Sequence, residues 1–175
     1  MYYGAIKSCD IANGEGVRVS LFVSGCRHGC KNCFNPETWN FSYGTPYTKQ
    51  TTEQILKLLE PSYVQGLTLL GGEPMEPENQ PVLLELVQAV RKTYGKSKDI
   101  WCYTGYTFET LLRNPLQAKL LQYVDVLVDG KFKQELRDES LCFRGSKNQR
   151  LIDVQASLQA EEVVTYNYNP VPRIA

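Results

Sequence analysis

The stretch Val17-Arg18-Val19-Ser20-Leu21-Phe22-Val23-Ser24-Gly25-Cys26-Arg27-His28-Gly29-Cys30-Lys31-Asn32-Cys33 carries both a backbone pattern and a chemistry. Val17, Val19, Leu21 and Val23 alternate with Arg18, Ser20 and Phe22, the period of two expected of a strand, and Ser24-Gly25 ends it just before the first cysteine. Cys26, Cys30 and Cys33 therefore lie on the loop that leaves a strand end, with three and then two residues between them. Where strands are parallel and joined by helices, chemistry gathers on the loops at their C-terminal ends. Whether helices follow this strand thus decides the fold class.

They do. Thr51-Thr52-Glu53-Gln54 predicts the cap of an amphipathic helix that carries Ile55, Leu56, Leu58 and Leu59 and stops at Pro61. Leu67 to Leu70 is a short apolar strand, and Gly71-Gly72-Glu73-Pro74 turns out of it. A helix from about Gln80 to Tyr94 buries Leu83, Leu84, Leu86, Val87 and Val90, with Gly95 as its stop. Ile100 to Thr104 is the next strand, two short helices follow near Phe108 to Leu112 and from Pro115 to Tyr123, and Val124 to Val128 is a strand ending at Asp129-Gly130. This alternation predicts an α/β fold of parallel βαβ units. A closed eightfold barrel takes about 250 residues and the chain has 175, so the expected shape is an open, partial (β/α) barrel. Residues 1–165 are expected to form one domain, and the Pro- and Asn-rich residues 166–175 a surface tail.

Composition excludes several classes of function. Side chains that are 42% hydrophobic and 22% charged suit a globular domain with a core. The 19 Lys and Arg are matched by 19 Asp and Glu, so no global positive field attracts nucleic acid. The N-terminus has no basic, apolar and cleavage-site pattern, and no run approaches the roughly 18 apolar residues of a membrane helix. A cytoplasmic location is expected, where thiols stay reduced and a tight group of cysteines signals metal or redox chemistry. Cys9, Cys102 and Cys142 are scattered and are expected to be small buried apolar residues.

Three thiols so close together suit a particular kind of metal centre. A structural zinc ion takes four ligands, and an ordinary four-iron cluster is held by four cysteines. Three cysteines leave one iron without a protein ligand, the vacancy a catalytic cluster needs. Two alternatives remain at this point: a zinc knot with His28 as fourth ligand, and an electron-carrying cluster completed by Cys9 or Cys102.

The spacing of Cys26, Cys30 and Cys33 resembles the CxxxCxxC signature of the radical S-adenosylmethionine (SAM) superfamily. The resemblance extends through the run Gly16 to Gly25, through Phe34-Asn35-Pro36 with Thr38-Trp39, and through Gly71-Gly72-Glu73-Pro74. It continues through Val126-Leu127-Val128-Asp129-Gly130-Lys131-Phe132 and through Phe143-Arg144-Gly145-Ser146-Lys147-Asn148-Gln149-Arg150. In that order, over most of the chain, these segments resemble the activating proteins of anaerobic (class III) ribonucleotide reductases.

The resemblance implies a [4Fe-4S] cluster on Cys26, Cys30 and Cys33, with SAM chelated by the open iron through its amino and carboxylate groups. Cluster potentials extend down to about −700 mV, so the implied electron donor is a flavodoxin-like, low-potential protein. The implied reaction cleaves SAM to methionine and a 5′-deoxyadenosyl radical, which takes the α-hydrogen of a glycine in a C-terminal loop of the anaerobic ribonucleoside-triphosphate reductase. By the same resemblance, Asn32, Cys33 and Phe34 serve the adenine, and Gly71, Gly72 and Glu73 the SAM ammonium group. Asp129 and Lys131 stand near the SAM carboxylate, or else form a solvated charge pair. Arg144, Ser146, Asn148 and Arg150 either clamp SAM or the partner, or form a hydrogen-bonded surface turn. Activation of another glycyl-radical enzyme, of the pyruvate formate-lyase type, shares this chemistry, but the chain has no room for an added ferredoxin-like domain.

Overall fold

A computed structural model describes residues 1–168; of the expected C-terminal tail, residues 169–175 lie outside the described residues. The elements are β1 (Tyr2–Asp10), β2 (Val17–Val23), β3 (Thr45–Pro46), α1 (Lys49–Leu59), β4 (Val64–Gly71), α2 (Gln80–Tyr94), β5 (Asp99–Tyr103), α3 (Phe108–Leu112), α4 (Pro115–Leu121), β6 (Val126–Asp129), β7 (Arg150–Asp153) and α5 (Val154–Ala160). A 3-10 turn at Pro36–Trp39 follows the cysteine loop. One sheet has the strand order β3-β1-β2-β4-β5-β6-β7.

The fold is α/β with an open, mixed sheet. β2, β4, β5 and β6 are parallel, as the alternation predicts, whereas β1, β3 and β7 run antiparallel to their neighbours. The antiparallel β7 has only the short run Arg-Leu-Ile-Asp, too brief to show a period. α1 starts earlier than expected: Thr48 is its cap, with its N–H donating to the Thr51 hydroxyl at 3.1 Å, so Thr51 sits inside the first turn.

The helices cover one face of the sheet. Val19, Leu21 and Val23 of β2, Leu67 and Leu69 of β4, Ile100 and Cys102 of β5 and Leu127 of β6 pack there against Ile55, Leu59, Leu83, Leu86 and Leu120 of the helices. Burying each large aliphatic side chain contributes about 1.5–3 kcal/mol. Cys102 belongs to this core as expected, but Cys9 and Cys142 are exposed.

The opposite face is buried too, and its character differs. Ser20, Thr68, Trp101 and Val126 stand level across four strands. Arg18, a polar alternate in the sequence pattern, is 0% exposed. Its Nε donates to the Thr68 hydroxyl at 2.7 Å, its guanidinium bonds Asp99 and the Leu67 carbonyl, and it stacks over Trp101. Such a buried charge is tolerated because each of its nitrogens has an acceptor, Nη1 donating to the Glu15 carbonyl at 3.0 Å. Val128, Leu151, Phe143 and Tyr166 complete this layer around Trp101, and the Tyr166 hydroxyl donates to Glu15 at 2.8 Å.

Candidate functional site

Loops leaving the C-terminal ends of β2, β4 and β5 interlock. Behind the cysteine loop, the Gly25 N–H donates to the Thr38 carbonyl at 2.7 Å and the Cys26 N–H to that of Trp39 at 3.3 Å. The turn after β4 crosses in front: the Gly72 N–H donates to the Val23 carbonyl at 2.7 Å and the Glu73 N–H to that of Gly25 at 2.8 Å. A Cβ on Gly72 would lie 2.7 Å from the Gly25 oxygen and 2.9 Å from the Thr38 oxygen, so this crossing requires glycine. Two amides of the turn are thus spent inside the protein, as is the Glu73 carbonyl, which accepts from Asn79 Nδ2 at 2.9 Å and from the Glu76 N–H at 3.2 Å. Gly72→Ala is expected to wedge the loops apart and lower stability by about 1–3 kcal/mol, seen as a lower urea midpoint of the metal-free chain.

The third loop joins through Glu73, whose side chain is 1% exposed and not solvated. Its Oε1 accepts from the Met75 N–H and the Thr104 hydroxyl, each at 2.8 Å. Its Oε2 accepts from the Gly105 N–H at 2.7 Å and pairs with His28 Nε2 at 2.8 Å. An ionised carboxylate only accepts, so that ring nitrogen carries a hydrogen. His28 reaches Glu73 because Gly105 lacks a side chain; a Cβ there would collide with the imidazole.

Arg27 ties the same loop down one residue earlier. Its N–H donates to Glu76 Oε1 at 2.9 Å, and its guanidinium reaches Glu76 Oε2 at 2.6 Å and also pairs with Glu78. The amide of Asn79 donates to the carbonyls of Ser24 and Glu73, at 3.0 and 2.9 Å.

So held, the free thiols of Cys26, Cys30 and Cys33 line one cavity of about 410 Å³. Among the described residues no three His, Cys, Asp or Glu side chains converge as a single metal ion requires. With His28 engaged by Glu73, the donor set fits a polynuclear cluster better than a zinc knot. Burial pushes the Cys26 thiol up to about 11, with Glu73 and the two other cysteines adding and the His28 amide opposing. Burial also raises Cys30, against the nearby Lys131 ammonium. The Asn35 N–H donates to Cys33 Sγ at 3.4 Å. Metal ligation needs thiolates, so cluster uptake by the metal-free chain is expected to release protons and to become more favourable from about pH 7 to about pH 9, as measured by iron and sulfide incorporation.

Phe34, Gly71, Gly72 and Glu73 line the same cavity as the thiols; Asn32, Asp129 and Lys131 do not. Asn32 is exposed in a left-handed turn, with φ of 56°. Asp129 is 1% exposed and takes Arg150 at 2.9 and 2.5 Å and the Phe108 N–H at 2.8 Å, so it is no partner of Lys131. Arg150 in turn bonds Glu109 with both terminal nitrogens.

The segment from Arg144 to Arg150 is a hydrogen-bonded turn whose Arg144, Gly145 and Gln149 line the cavity. Gln149 Oε1 accepts from the N–H groups of Gly145 and Ser146, its Nε2 donates to the Gly130 carbonyl at 3.0 Å, and Asn148 Nδ2 donates to that of Lys131 at 2.8 Å. Arg144 and Tyr103 reach the cavity wall. Burial pushes the Tyr103 phenol up, keeping it a donor. Sequence reading missed the roles of Arg27, Glu76 and Thr104, whose partners stand 49 and 31 residues away. The only signal was an acid three residues beyond Glu73.

Residues 12–152 match the family model described as a 4Fe-4S single cluster domain. The chain is similar to the anaerobic ribonucleoside-triphosphate reductase-activating protein of Pasteurella multocida, at 47% identity over 85% of this chain and 95% of the relative. It is similar to the protein of the same name from enterobacteria phage T4, at 45% identity over 86% of this chain and 93% of the relative. The Vibrio cholerae protein of that name is 48% identical, over 85% and 96% of the two chains. Among the described residues no helix is long and apolar enough to cross a membrane.

Proposed function

Because the chain belongs to the family of anaerobic ribonucleoside-triphosphate reductase-activating proteins, with their 4Fe-4S domain, we propose that it acts as a radical SAM activase, in the cytoplasm, on a reductase of that kind. The observation that carries this reading is the presence of three free thiols, and no fourth, on one cavity wall beside the glycine turn. Cys26, Cys30 and Cys33 would hold a [4Fe-4S] cluster, which when bound supplies one low-potential electron for cleavage of SAM to methionine and a 5′-deoxyadenosyl radical.

The chain's own residues position and enclose. Carbonyls of Gly71 and Gly72, on the cavity wall, receive the SAM ammonium, which can only donate. Glu73 and Thr104 fix the turn rather than touch the ligand. Phe34, at the cavity rim and packed against Phe132, offers an apolar surface to the adenine, with the backbone of Asn32 and Cys33 next to it. Lys131 places positive charge beside Cys30, and Asp129 acts on the same loop through Arg150. The apolar rings of Phe132, Phe143 and Phe34 keep water from a radical that water contact would waste. The substrate hydrogen is the α-hydrogen of a reductase glycine, and a flavodoxin-like protein is the donor of the electron.

The test is anaerobic reconstitution with iron and sulfide, followed by reductant, SAM and the reductase, read by electron paramagnetic resonance. A glycyl radical with matching 5′-deoxyadenosine is the expected result. Absence of both would sink the reading; 5′-deoxyadenosine without a glycyl signal would keep the chemistry and reject this partner.

A further inference from the structure

We propose that Glu73 is a fixed negative charge that holds the cluster's reduction potential down, an inference that rests on the activase reading and names how the chain poises that centre. Glu73 grips the chain on both sides of Cys26: its N–H donates to the Gly25 carbonyl at 2.8 Å, and its carboxylate meets His28 Nε2 at 2.8 Å. The residue belongs to the wall of the cavity that the three thiols line, and it is buried. Solvent therefore screens its charge from Cys26 far less than it would a charge on the surface.

No arginine or lysine claims this acid. Three of the four partners of its carboxylate, the Met75 and Gly105 amides and the Thr104 hydroxyl, are uncharged, and among the described residues the His28 ring is its one partner at ion-pair distance. Two other buried acids close by are treated differently: Glu76 takes Arg27, and Asp129 takes Arg150. A buried carboxylate without such a cation needs neutral donors to persist, and Glu73 has them on both oxygens. Its charge is felt at the thiols, for Glu73 is among the groups that push Cys26 up.

The potential of an iron–sulfur cluster follows the net charge around it, the hydrogen bonds to its sulfurs and its solvent access. Reduction by the low-potential donor adds one electron, hence one negative charge, which a nearby carboxylate opposes and a nearby cation favours. Lys131, the cation beside Cys30, pulls the other way, but it is exposed and screened by water and salt, so the buried acid prevails. An electron held at lower potential is the stronger reductant, as cleavage of the SAM sulfonium demands.

Reconstituted Glu73→Gln and His28→Lys chains cancel the charge by different routes, the first by removing it and the second by setting a fixed cation against it. Thr104→Val loosens the acid's support and leaves the charge in place. The cluster's potential is read without SAM, by redox titration followed through its paramagnetic spectrum. At a fixed ambient potential the ratio of reduced to oxidised cluster is expected to rise about tenfold in Glu73→Gln, a shift of about 59 mV for one electron. The ratio is expected to move the same way in His28→Lys and to stay within about twofold in Thr104→Val. An unchanged ratio in Glu73→Gln, or an equal rise in Thr104→Val, would assign Glu73 to holding the loop alone and overturn the inference. Should Glu73→Gln retain no cluster, His28→Lys decides by the same criterion, and loss of the cluster from both overturns the inference too. If the unaltered chain takes up no four-iron cluster, the activase reading itself fails.

Discussion

Cys26→Ala, Cys30→Ala and Cys33→Ala chains are each expected to fall from about four irons per chain after reconstitution to near zero, and to lose SAM cleavage entirely. The three thiols share one cavity wall, and the remaining described cysteines cannot replace them. Cys102 is 0% exposed in the core on the helix-covered face, and Cys9 and Cys142 are exposed on other segments. Cys9→Ala is accordingly expected to keep both iron and activity. Iron and sulfide analysis, with 5′-deoxyadenosine quantified by chromatography, decides the matter. Full cluster content in Cys30→Ala, or its loss in Cys9→Ala, would overturn the three-thiol site.

The second large effect is expected at Glu73. Glu73→Ala leaves the Met75 and Gly105 amides, the Thr104 hydroxyl and the His28 ring without their acceptor. Hydrogen bonds to a charged group contribute about 1.5–3 kcal/mol each, and buried orphans cost a comparable amount, so a loss of about 3 kcal/mol or more is expected in the metal-free chain. Glu73→Gln keeps the shape but replaces one acceptor oxygen by a donor, and a loss of about 1–3 kcal/mol is expected. Urea unfolding before any iron is added provides the measurement. Were Glu73 instead a direct contact of SAM, the metal-free stability of Glu73→Gln would stay at the unaltered value while SAM affinity fell.

Much of this was legible in the sequence because it was local. The period of β2, the long helix from Gln80 to Tyr94 with its glycine stop, and the short Phe108–Leu112 helix all rest on neighbours within a few turns. The cysteine loop and the glycine turn carried their own spacing. What was not legible depended on pairs far apart in the chain. Arg18 and Ser20 fit the pattern of a largely buried strand, but what they meet is not written locally: a second buried layer, built from Trp101, Thr68 and the loop before β2, covers them. Asp129 and Lys131 could be read as a solvated charge pair, but β6 ends at Asp129, the chain turns at Gly130 with φ of 96°, and Arg150 claims the acid. β7 lay hidden because four residues cannot announce a direction.

The tethers of the cysteine loop have a consequence for how the centre is made and remade. Arg27 to Glu76, His28 to Glu73 and Asn79 to Ser24 are bonds between protein groups alone. In small zinc domains the metal must supply the free energy of folding, and its removal collapses the chain. Here protein groups alone tether the loop, so part of the entropy of ordering it is offset by those bonds and not by the metal. A chain stripped of its cluster is accordingly expected to stay folded and to accept iron and sulfide again, as circular dichroism before and after iron removal would check.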